Sequence, residues 1–203
     1  MLAAALRESL GKHPRGGRAQ RAVCLVRTPL SWAGDFWPID HPLDLLGYDG
    51  GAGVGSGPGM AVGAALALRG TGRLPLAVLG DGDFIMGVSA VWTAVHYRIP
   101  VLIVIANNGS FFNDEMHQER VARQRGRSIE NRWIGQRIAE PAIDLAAMAR
   151  AQGATGIGPV RTADQLTEAL RDAISAVEDG QTAVVDVRIS AGYHKDFNVT
   201  AFG

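Results

Sequence analysis

The sequence predicts a three-layer α/β/α fold with a mainly parallel sheet, and three observations carry this prediction. The apolar runs are short and rich in Val and Ile, as expected of strands that are buried on both faces. Helix-like segments stand between these runs, and glycine-containing turns join the two kinds of segment. Strands and helices that alternate along a chain form a parallel sheet covered by helices.

Four apolar runs are predicted to be the strands of this sheet. None of them alternates strictly between apolar and polar residues, which is typical of strands that are covered on both faces. They are AVCLV at 22–26, LAVLG at 76–80, VLIVIA at 101–106 and TAVVDVRI at 182–189.

Four segments are predicted to be helices from their composition and their boundaries. They are the segments 58–69, 84–97, 141–152 and 162–178. Pro58 stands in the first turn of the first segment, where its missing N–H costs nothing, and Thr162 is predicted to be the N-cap of the last. Glycines follow three of the four segments, as is common where helices end: Gly70, Gly153 and Gly180.

The segment 84–97 is apolar nearly all round, which predicts a buried helix. Met86, Val91 and Trp92 are therefore expected in the core, and His96 is expected at the helix end.

The stretch 111–140 is polar and rich in arginine, so it is predicted to be irregular. Phe111 and Phe112 are expected to pack under or beside the loop that precedes them.

Composition and charge limit the possible partners and the cell compartment. The chain has 203 residues, 47% of them hydrophobic, which is enough for one sizeable core. Its 20 basic and 20 acidic residues balance, which argues against nucleic acid and membrane partners. The single cysteine, Cys24, cannot form an internal disulfide, which fits a cytoplasmic protein. We predict a linker or helix end at 1–20, one domain at 21–192 and a tail at 193–203.

Polar residues stand at the carboxyl ends of two predicted strands. Asp81 follows LAVLG, and Asn107 and Asn108 follow VLIVIA. In an open α/β sheet, ligands bind beyond the carboxyl ends of the strands. A carboxylate and an amide oxygen suit a hard cation such as Mg²⁺, which usually completes its shell with water and substrate phosphates. The spacing therefore predicts an anion bridged by Mg²⁺, most simply a diphosphate.

These motifs resemble a known family. Gly80-Asp81-Gly82, then 24 residues, then Asn107-Asn108 is similar to the signature of thiamine diphosphate (ThDP) enzymes. Taken singly, either motif could be a turn, but the pair at this distance, each after an apolar strand, is specific. The resemblance covers nearly the whole chain, which is similar to the diphosphate-binding domain of the acetolactate synthase, benzoylformate decarboxylase and pyruvate decarboxylase group.

The resemblance implies roles for individual residues. Mg²⁺ would be bound by the side chains of Asp81 and Asn108 and by the main-chain carbonyl of Ser110. Gly82 and Asp83 would donate backbone N–H groups to the diphosphate. The family usually has Ser at the position of Asp83, whose side chain we expect to point away from the diphosphate and to cap the following helix. The implied cofactor-binding residues are Ala52, Gly53, Val54, Gly80, Gly82, Asp83, Asn108 and Ser110.

The glycine-rich run before the first predicted helix resembles a second family motif. Ala52-Gly53-Val54-Gly55 would support the cofactor in a bent shape, with Val54 as the prop and the backbone of Ala52 bonded to the pyrimidine. Two residues depart from the family pattern. Ala52 replaces the usual Gly, and Gly59 stands where Pro is common.

The resemblance also implies a missing partner. In this family ThDP lies between two domains, and the other domain supplies the glutamate that activates the cofactor. We therefore expect the chain to be a fragment or one subunit of a split enzyme. Alone it should lack the activating glutamate, bind the cofactor weakly at most and be inactive. The implied partners are a pyrimidine-binding domain, a 2-oxo acid substrate and further copies or subunits in a homo- or hetero-oligomer. The implied reaction is decarboxylation or carboligation. A non-catalytic cofactor-fold module or assembly subunit is the alternative.

Overall fold

A five-stranded parallel sheet forms the centre of the molecule. The structure is a computed structural model that describes residues 2–11, 22–29, 37, 39–47 and 53–191. The strand order is β1-β2-β3-β5-β4, and every neighbouring pair is parallel. The strands are β1 Val23–Arg27, β2 Leu74–Gly80, β3 Val101–Asn107, β4 Thr155–Val160 and β5 Thr182–Arg188. The four predicted strands and the parallel arrangement are confirmed.

The edge strand β4 was not predicted. Its sequence TGIGPV holds two glycines and a proline, and most of its residues are only partly buried. Glycine and proline are tolerated at a sheet edge, where one side of the strand needs no ladder partner. The pairing with β5 also shifts between Ile157 and Val160, so no continuous apolar run marks this strand in the sequence.

Helices cover both faces of the sheet, which confirms the three predicted layers. They are α1 Leu2–Gly11, α2 Ser56–Ala67, α3 Asp81–Gly87, α4 Ser89–His96, α5 Phe112–Gln124, α6 Leu145–Ala151 and α7 Ala163–Glu178. One apolar cluster joins the sheet to α1 and α7, and a second joins it to α2, α3, α4 and α6.

Alternate residues of the central strand β3 enter the two clusters. Leu102 and Val104 pack with α7, whereas Ile103 and Ile105 pack against the helices on the opposite face. Both faces are therefore apolar, which explains why the strand sequences show no alternation with polar residues.

The predicted helix 84–97 differs from the observed structure in two ways. It is divided at Val88 into α3 and α4, and its outer face is exposed. Val91 is buried as predicted, but Met86 is 62% exposed and Trp92 is 54% exposed, so their assignment to the core was wrong. Trp92 instead stacks on His96, with 4.8 Å between ring centroids, and His96 ends α4 as predicted.

The stretch 111–140 is not wholly irregular, because it contains α5. This helix lacks an apolar stripe, and its one fully buried residue is Glu115. Ion pairs take the place of apolar packing on its surface: Glu119 binds Arg123 at 2.7 Å and Arg132 at 3.1 Å. Helices are predicted from apolar residues that recur at helical spacing, and α5 has no such pattern.

The observed helix ends agree in part with the predicted boundaries. Thr162 is the N-cap of α7, and its side chain accepts a hydrogen bond from the N–H of Gln165. The predicted start at Pro141 was wrong, because α6 begins after Asp144, whose side chain accepts from the N–H of Ala147 at 2.8 Å.

The first helix packs on the main body of the chain. Leu6 and Leu10 of α1 are buried in the cluster that α7 completes. The proposed domain boundaries stay a prediction. In the part of the chain that the structure describes, no helix is both long enough and apolar enough to cross a membrane.

Candidate cofactor and metal site

The strands β2 and β3 bring the two sequence motifs to one edge of the sheet. They are neighbours, and Gly80 at the end of β2 is in register with Ala106, one residue before the end of β3. Asp81 and Asn108 follow at this edge, and Asp81 is also the first residue of α3. The geometry expected from the sequence is therefore present.

Two side-chain oxygen atoms converge on one backbone N–H group. The N–H of Ser110 donates to Oδ2 of Asp81 at 3.0 Å and to Oδ1 of Asn108 at 2.9 Å. Two acceptors that share one donor must lie close to each other. Asp81, Asn108 and Ser110, the three residues predicted to bind metal, are thus grouped in space.

The carboxylate of Asp81 has a negative charge that the described residues do not neutralise. The residue is 3% exposed, and burial raises the pKa of its carboxyl group, although backbone N–H groups of Gly82, Gly109 and Ser110 oppose the shift. Over the described ranges, no arginine, lysine or histidine forms an ion pair with it. A cation would lower the free energy of such a buried carboxylate.

The oxygen atoms at this edge of the sheet favour a metal ion that takes its remaining ligands from a bound phosphate and from water. Among the residues with described positions, no group of three or more His, Cys, Asp or Glu side chains could hold a metal ion. A cation beside Asp81 would have one carboxylate and neutral oxygen ligands from the protein. Mg²⁺ accepts such a set when phosphate and water complete its octahedral shell.

The turn at Ser110 is held by α5 and by the segment that follows it, through contacts that the sequence did not indicate. The Ser110 hydroxyl donates to Oε1 of the buried Glu115 at 2.5 Å. The N–H of Ile138 donates to the carbonyl of Gly109 at 2.7 Å. Glu115 stands in a polar stretch of sequence, so nothing in its surroundings distinguishes it from the exposed acids near it.

Gly82 is in close contact with an aromatic ring. A Cβ atom at this position would lie 2.2 Å from Cε1 of Phe111, so no side chain fits there. Phe111 therefore packs on the first turn of α3, and its packing beside the loop that precedes it stays a prediction. Gly80 differs, because a Cβ atom there would have no neighbour within 4 Å.

Asp83 caps a different helix from the one predicted. Its Oδ1 accepts from the N–H of Gly55 at 2.6 Å and from the N–H of Gly57 at 3.1 Å, which lie at the start of α2. The following helix cannot be its partner, since α3 already begins at Asp81. The prediction of a side chain that caps α3 was wrong because the two helix starts lie closer together than the sequence indicates.

The contacts of Asp83 join the two predicted cofactor segments. Gly55 follows Gly53 and Val54 directly, and the Ser56 hydroxyl donates to the carbonyl of Gly53 at 2.6 Å. The side chain of Val54 is 47% exposed, as a residue that supports a ligand could be. Ala52 lies outside the described residues.

Asn107 shapes the turn after β3. Its Oδ1 accepts from the N–H of Gly109 at 3.1 Å, and its Nδ2 donates to Oδ1 of Asp186 at 2.8 Å. The sequence analysis missed Asp186. Its signal is an acidic residue inside the apolar run TAVVDVRI.

Comparison with protein families assigns the chain. Residues 28–187 match the family described as thiamine pyrophosphate enzyme, C-terminal TPP binding domain. The chain belongs to this family. Thiamine pyrophosphate is another name for ThDP, so the resemblance drawn from the two motifs is confirmed.

Individual relatives agree with this assignment. The chain is 26% identical to the acetolactate synthase isozyme 3 large subunit of Escherichia coli over 159 residues, which are 78% of this chain and 26% of that enzyme. It is 32% identical to the benzoylformate decarboxylase of Pseudomonas aeruginosa over 95 residues, which are 46% of this chain and 18% of that enzyme.

A solved structure has the same fold. The ThDP-dependent 4-hydroxybenzoylformate decarboxylase of Rhodococcus jostii matches with a TM-score of 0.71 and 25% identity, over 95% of this chain and 32% of that one. In each comparison the chain spans about a third of its relative or less.

Proposed function

We propose that the edge formed by β2 and β3 binds Mg²⁺ and the diphosphate of ThDP, as half of the active site of an acetolactate-synthase-like enzyme. The observation that carries the proposal is the convergence of Asp81 and Asn108 on the N–H of Ser110. The unneutralised charge of Asp81 supports it, because the site lacks the positive charge that Mg²⁺ would supply.

Each part of the chain has a separate task in this proposal. Asp81 and Asn108 hold the metal through side-chain oxygen atoms, and the Ser110 carbonyl is the third protein ligand. The N–H groups of Gly82 and Asp83, in the first turn of α3, donate to the diphosphate. The side chain of Asp83 is bonded to α2 and so does not bring a second carboxylate to the anion.

The second cofactor segment supports the rest of the ligand. Gly53, Val54 and the adjacent Ala52 contact the pyrimidine half, with Val54 as the prop. The hydrogen bonds from Gly55 and Gly57 to Asp83 connect the segment that supports the pyrimidine with the first turn of α3, which binds the diphosphate.

The reaction class is decarboxylation of a 2-oxo acid, or carboligation that begins from one. When bound, ThDP supplies the carbon centre that accepts electrons during carbon–carbon bond cleavage beside a carbonyl. The residues of this chain position the cofactor and hold the Mg²⁺ that would neutralise its phosphates. A pyrimidine-binding domain from a partner chain or from another part of the same gene product supplies the activating glutamate. The assembled enzyme is a homo- or hetero-oligomer in the cytoplasm, and the chain alone has little activity.

Calorimetric titration of ThDP into the purified chain tests the proposal. We expect binding in the presence of Mg²⁺ that EDTA removes and that Asp81→Asn weakens strongly. Binding that is unchanged by EDTA and by the substitution would contradict the metal assignment. If the chain alone binds no ThDP, the titration is repeated with a pyrimidine-binding domain present. Continued failure would favour the non-catalytic module.

A further inference from the structure

Two charged side chains of β5 determine how the amide of Asn107 is oriented. The carboxylate of Asp186 can only accept hydrogen bonds, so it faces Nδ2 of Asn107 at 2.8 Å. The guanidinium of Arg188 can only donate, and its NH1 faces Oδ1 of Asn107 at 3.3 Å. Both neighbours therefore select the same orientation of the amide.

This orientation stabilises the turn after β3. Oδ1 of Asn107 accepts from the N–H of Gly109, a residue with φ of 72°. The next N–H, that of Ser110, is the one shared by Asp81 and Asn108. With the amide reversed, Nδ2 would face the N–H of Gly109, and two donors would oppose each other. The turn that carries Asn108 and Ser110 would lose a hydrogen bond.

The carboxylate of Asp186 is costly in its position. The residue is fully buried, and its Oδ2 has no hydrogen bond, with Arg188 NH2 at 3.5 Å as its charged neighbour. Val184, two residues earlier on the same face of β5, packs in an apolar cluster. An apolar residue at position 186 would avoid the cost of burying a charge. We therefore expect a function of the carboxylate that an apolar side chain could not perform.

We propose that Asp186 is a positioning residue for the metal site. Through Asn107 it holds the turn that presents Asn108 and Ser110 beside Asp81. The inference rests on the proposed function and concerns the same site. Asp186 acts through Asn107 and not by direct contact with the metal or the cofactor.

A reversal of the hydrogen-bonding pair tests this role. Asn107→Asp places two carboxylates opposite each other and removes the donor that Asp186 requires. The double variant Asn107→Asp/Asp186→Asn restores one donor and one acceptor, with the direction of the hydrogen bond reversed. Both proteins carry the same new carboxylate at position 107, so the difference between them comes from the group at position 186 that faces it, a second carboxylate or an amide donor.

The first measurement is amide hydrogen exchange at Gly109 in the ligand-free chain, followed by NMR. We expect exchange at Gly109 to be about tenfold faster in Asn107→Asp than in the double variant, because repulsion from Asp186 moves the new carboxylate away from the N–H of Gly109, and the loss of a hydrogen bond of about 1 to 1.5 kcal/mol corresponds to that factor. Val184→Ala is the matched control for a general loss of stability in β5, and Gly109 is expected to stay protected in it.

The second measurement is the Mg²⁺ concentration that gives half-maximal ThDP binding. Residues that support metal ligands typically affect metal affinity by about 10- to 100-fold. We expect a rise of at least about tenfold in Asn107→Asp, a return most of the way to the wild-type value in the double variant, and no rise in Val184→Ala. Equal Mg²⁺ requirements in the single and double variants would overturn the inference.

Failure of the inference can be told apart from failure of the proposed function. If the unaltered chain binds ThDP without Mg²⁺, the proposed function fails, and Gly109 exchange still decides whether Asp186 orders the turn. If Asn107→Asp does not fold, Asp186→Asn and Asp186→Ser replace it. The asparagine keeps an acceptor for Asn107 and should protect Gly109, whereas the shorter serine should not. Equal protection in these two proteins would overturn the inference.

Discussion

Asp81 and Asp186 are two buried aspartates near the same edge of one sheet, but their neighbours differ. Burial raises the pKa of both carboxyl groups. Asp186 faces the amide of Asn107 and the guanidinium of Arg188. Asp81 accepts hydrogen bonds from backbone N–H groups, and among the described residues no cationic side chain pairs with it.

This difference indicates that the charge of Asp186 serves the folded structure, whereas the charge of Asp81 is available to bind a cation. The protein itself supplies a counter-ion for Asp186, the guanidinium of Arg188, so this carboxylate needs no cation from solution. The charge of Asp81 is satisfied only in part, so a cation from solution would lower its free energy. Substitution of Asp186 should therefore affect stability most, and substitution of Asp81 should affect ligand binding most.

The largest expected effect is on stability. Asp186→Leu leaves the charge of Arg188 without its partner, which should lower the free energy of unfolding by about 3 to 5 kcal/mol. Urea denaturation measures the loss. The double variant Asp186→Leu/Arg188→Met removes both charges and should regain most of it. A loss of the same size in the double variant would show that the pair is not the cause.

The next effect is on binding. Asp81→Asn should weaken Mg²⁺-dependent ThDP binding by about 3 kcal/mol, roughly 100-fold, because a neutral amide replaces the charged ligand. The free energy of unfolding should stay within about 1 kcal/mol of wild type, since no charged partner is left unpaired. Calorimetry and urea denaturation measure the two quantities. Asp172→Asn, on the exposed side of α7, is the control. A large loss of stability in Asp81→Asn would remove the distinction between the two aspartates.

Asp83 is a third aspartate for this comparison. Its carboxylate accepts hydrogen bonds from backbone N–H groups at the start of α2. A Cβ atom at Gly57 would lie 2.1 Å from Oδ2 of Asp83 and 2.8 Å from Cδ2 of Leu79. Gly57→Ala should therefore lower the free energy of unfolding by about 1 to 3 kcal/mol.

The matched control for Gly57 is in the same helix. A Cβ atom at Gly59 would have no neighbour within 4 Å, so Gly59→Ala should raise the free energy of unfolding by about 0.5 to 1 kcal/mol through helix propensity. Thermal unfolding of both proteins checks the prediction. Equal effects would show that the contact with Asp83 does not restrict this position.

The smallest expected effect concerns an aspartate with a lowered pKa. The hydrogen bond from Arg73 holds the pKa of Asp44 below its ordinary value of 3.8, assisted by the N–H groups of Asp40 and His41. Because the folded-state pKa is the lower one, this carboxylate stabilises the fold above the unfolded-state pKa, and the gain is lost as pH falls through the folded-state pKa. The stability difference between wild type and Asp44→Asn should be constant near neutral pH and shrink below about pH 4. Urea denaturation across this range measures it, and a difference that grows on acidification would contradict the sign.

Much of the architecture could be predicted because it depends on local patterns. Buried parallel strands produce apolar runs, and the two polar motifs follow two of these runs directly. The strand β4 and the helix α5 escaped prediction because a glycine- and proline-containing edge and a charged surface produce no apolar pattern. The exposure of Trp92 was also unpredictable, since composition does not indicate which side of a helix faces the sheet.

The residues of the proposed metal site could be singled out from the sequence, but the residues that support them could not. Asp81 and Asn108 stand in recognisable motifs, and their grouping follows from the adjacency of β2 and β3. Asp186 is visible as an acid within an apolar run, yet its partner Asn107 is 79 residues away in the chain. The hydrogen bonds of Asp83 to the start of α2 could not be predicted, because they depend on the lack of a side chain at Gly57.

The close approach of Gly57 to Asp83 has a consequence for how related sequences vary. An aspartate at position 83 and any side chain at position 57 would compete for the same space, since the Cβ atom would overlap the carboxylate. Serine, which the family usually carries at position 83, lacks the carboxylate oxygen atoms that would overlap such a Cβ atom, so the contact with Cδ2 of Leu79 at 2.8 Å would be the main one left to relax. We therefore expect the two positions to covary: lineages with the longer acid should retain glycine at 57, and lineages with serine should tolerate alanine. Transfer of the segment with Asp83 alone into a relative with alanine at position 57 should fail where transfer of both segments succeeds.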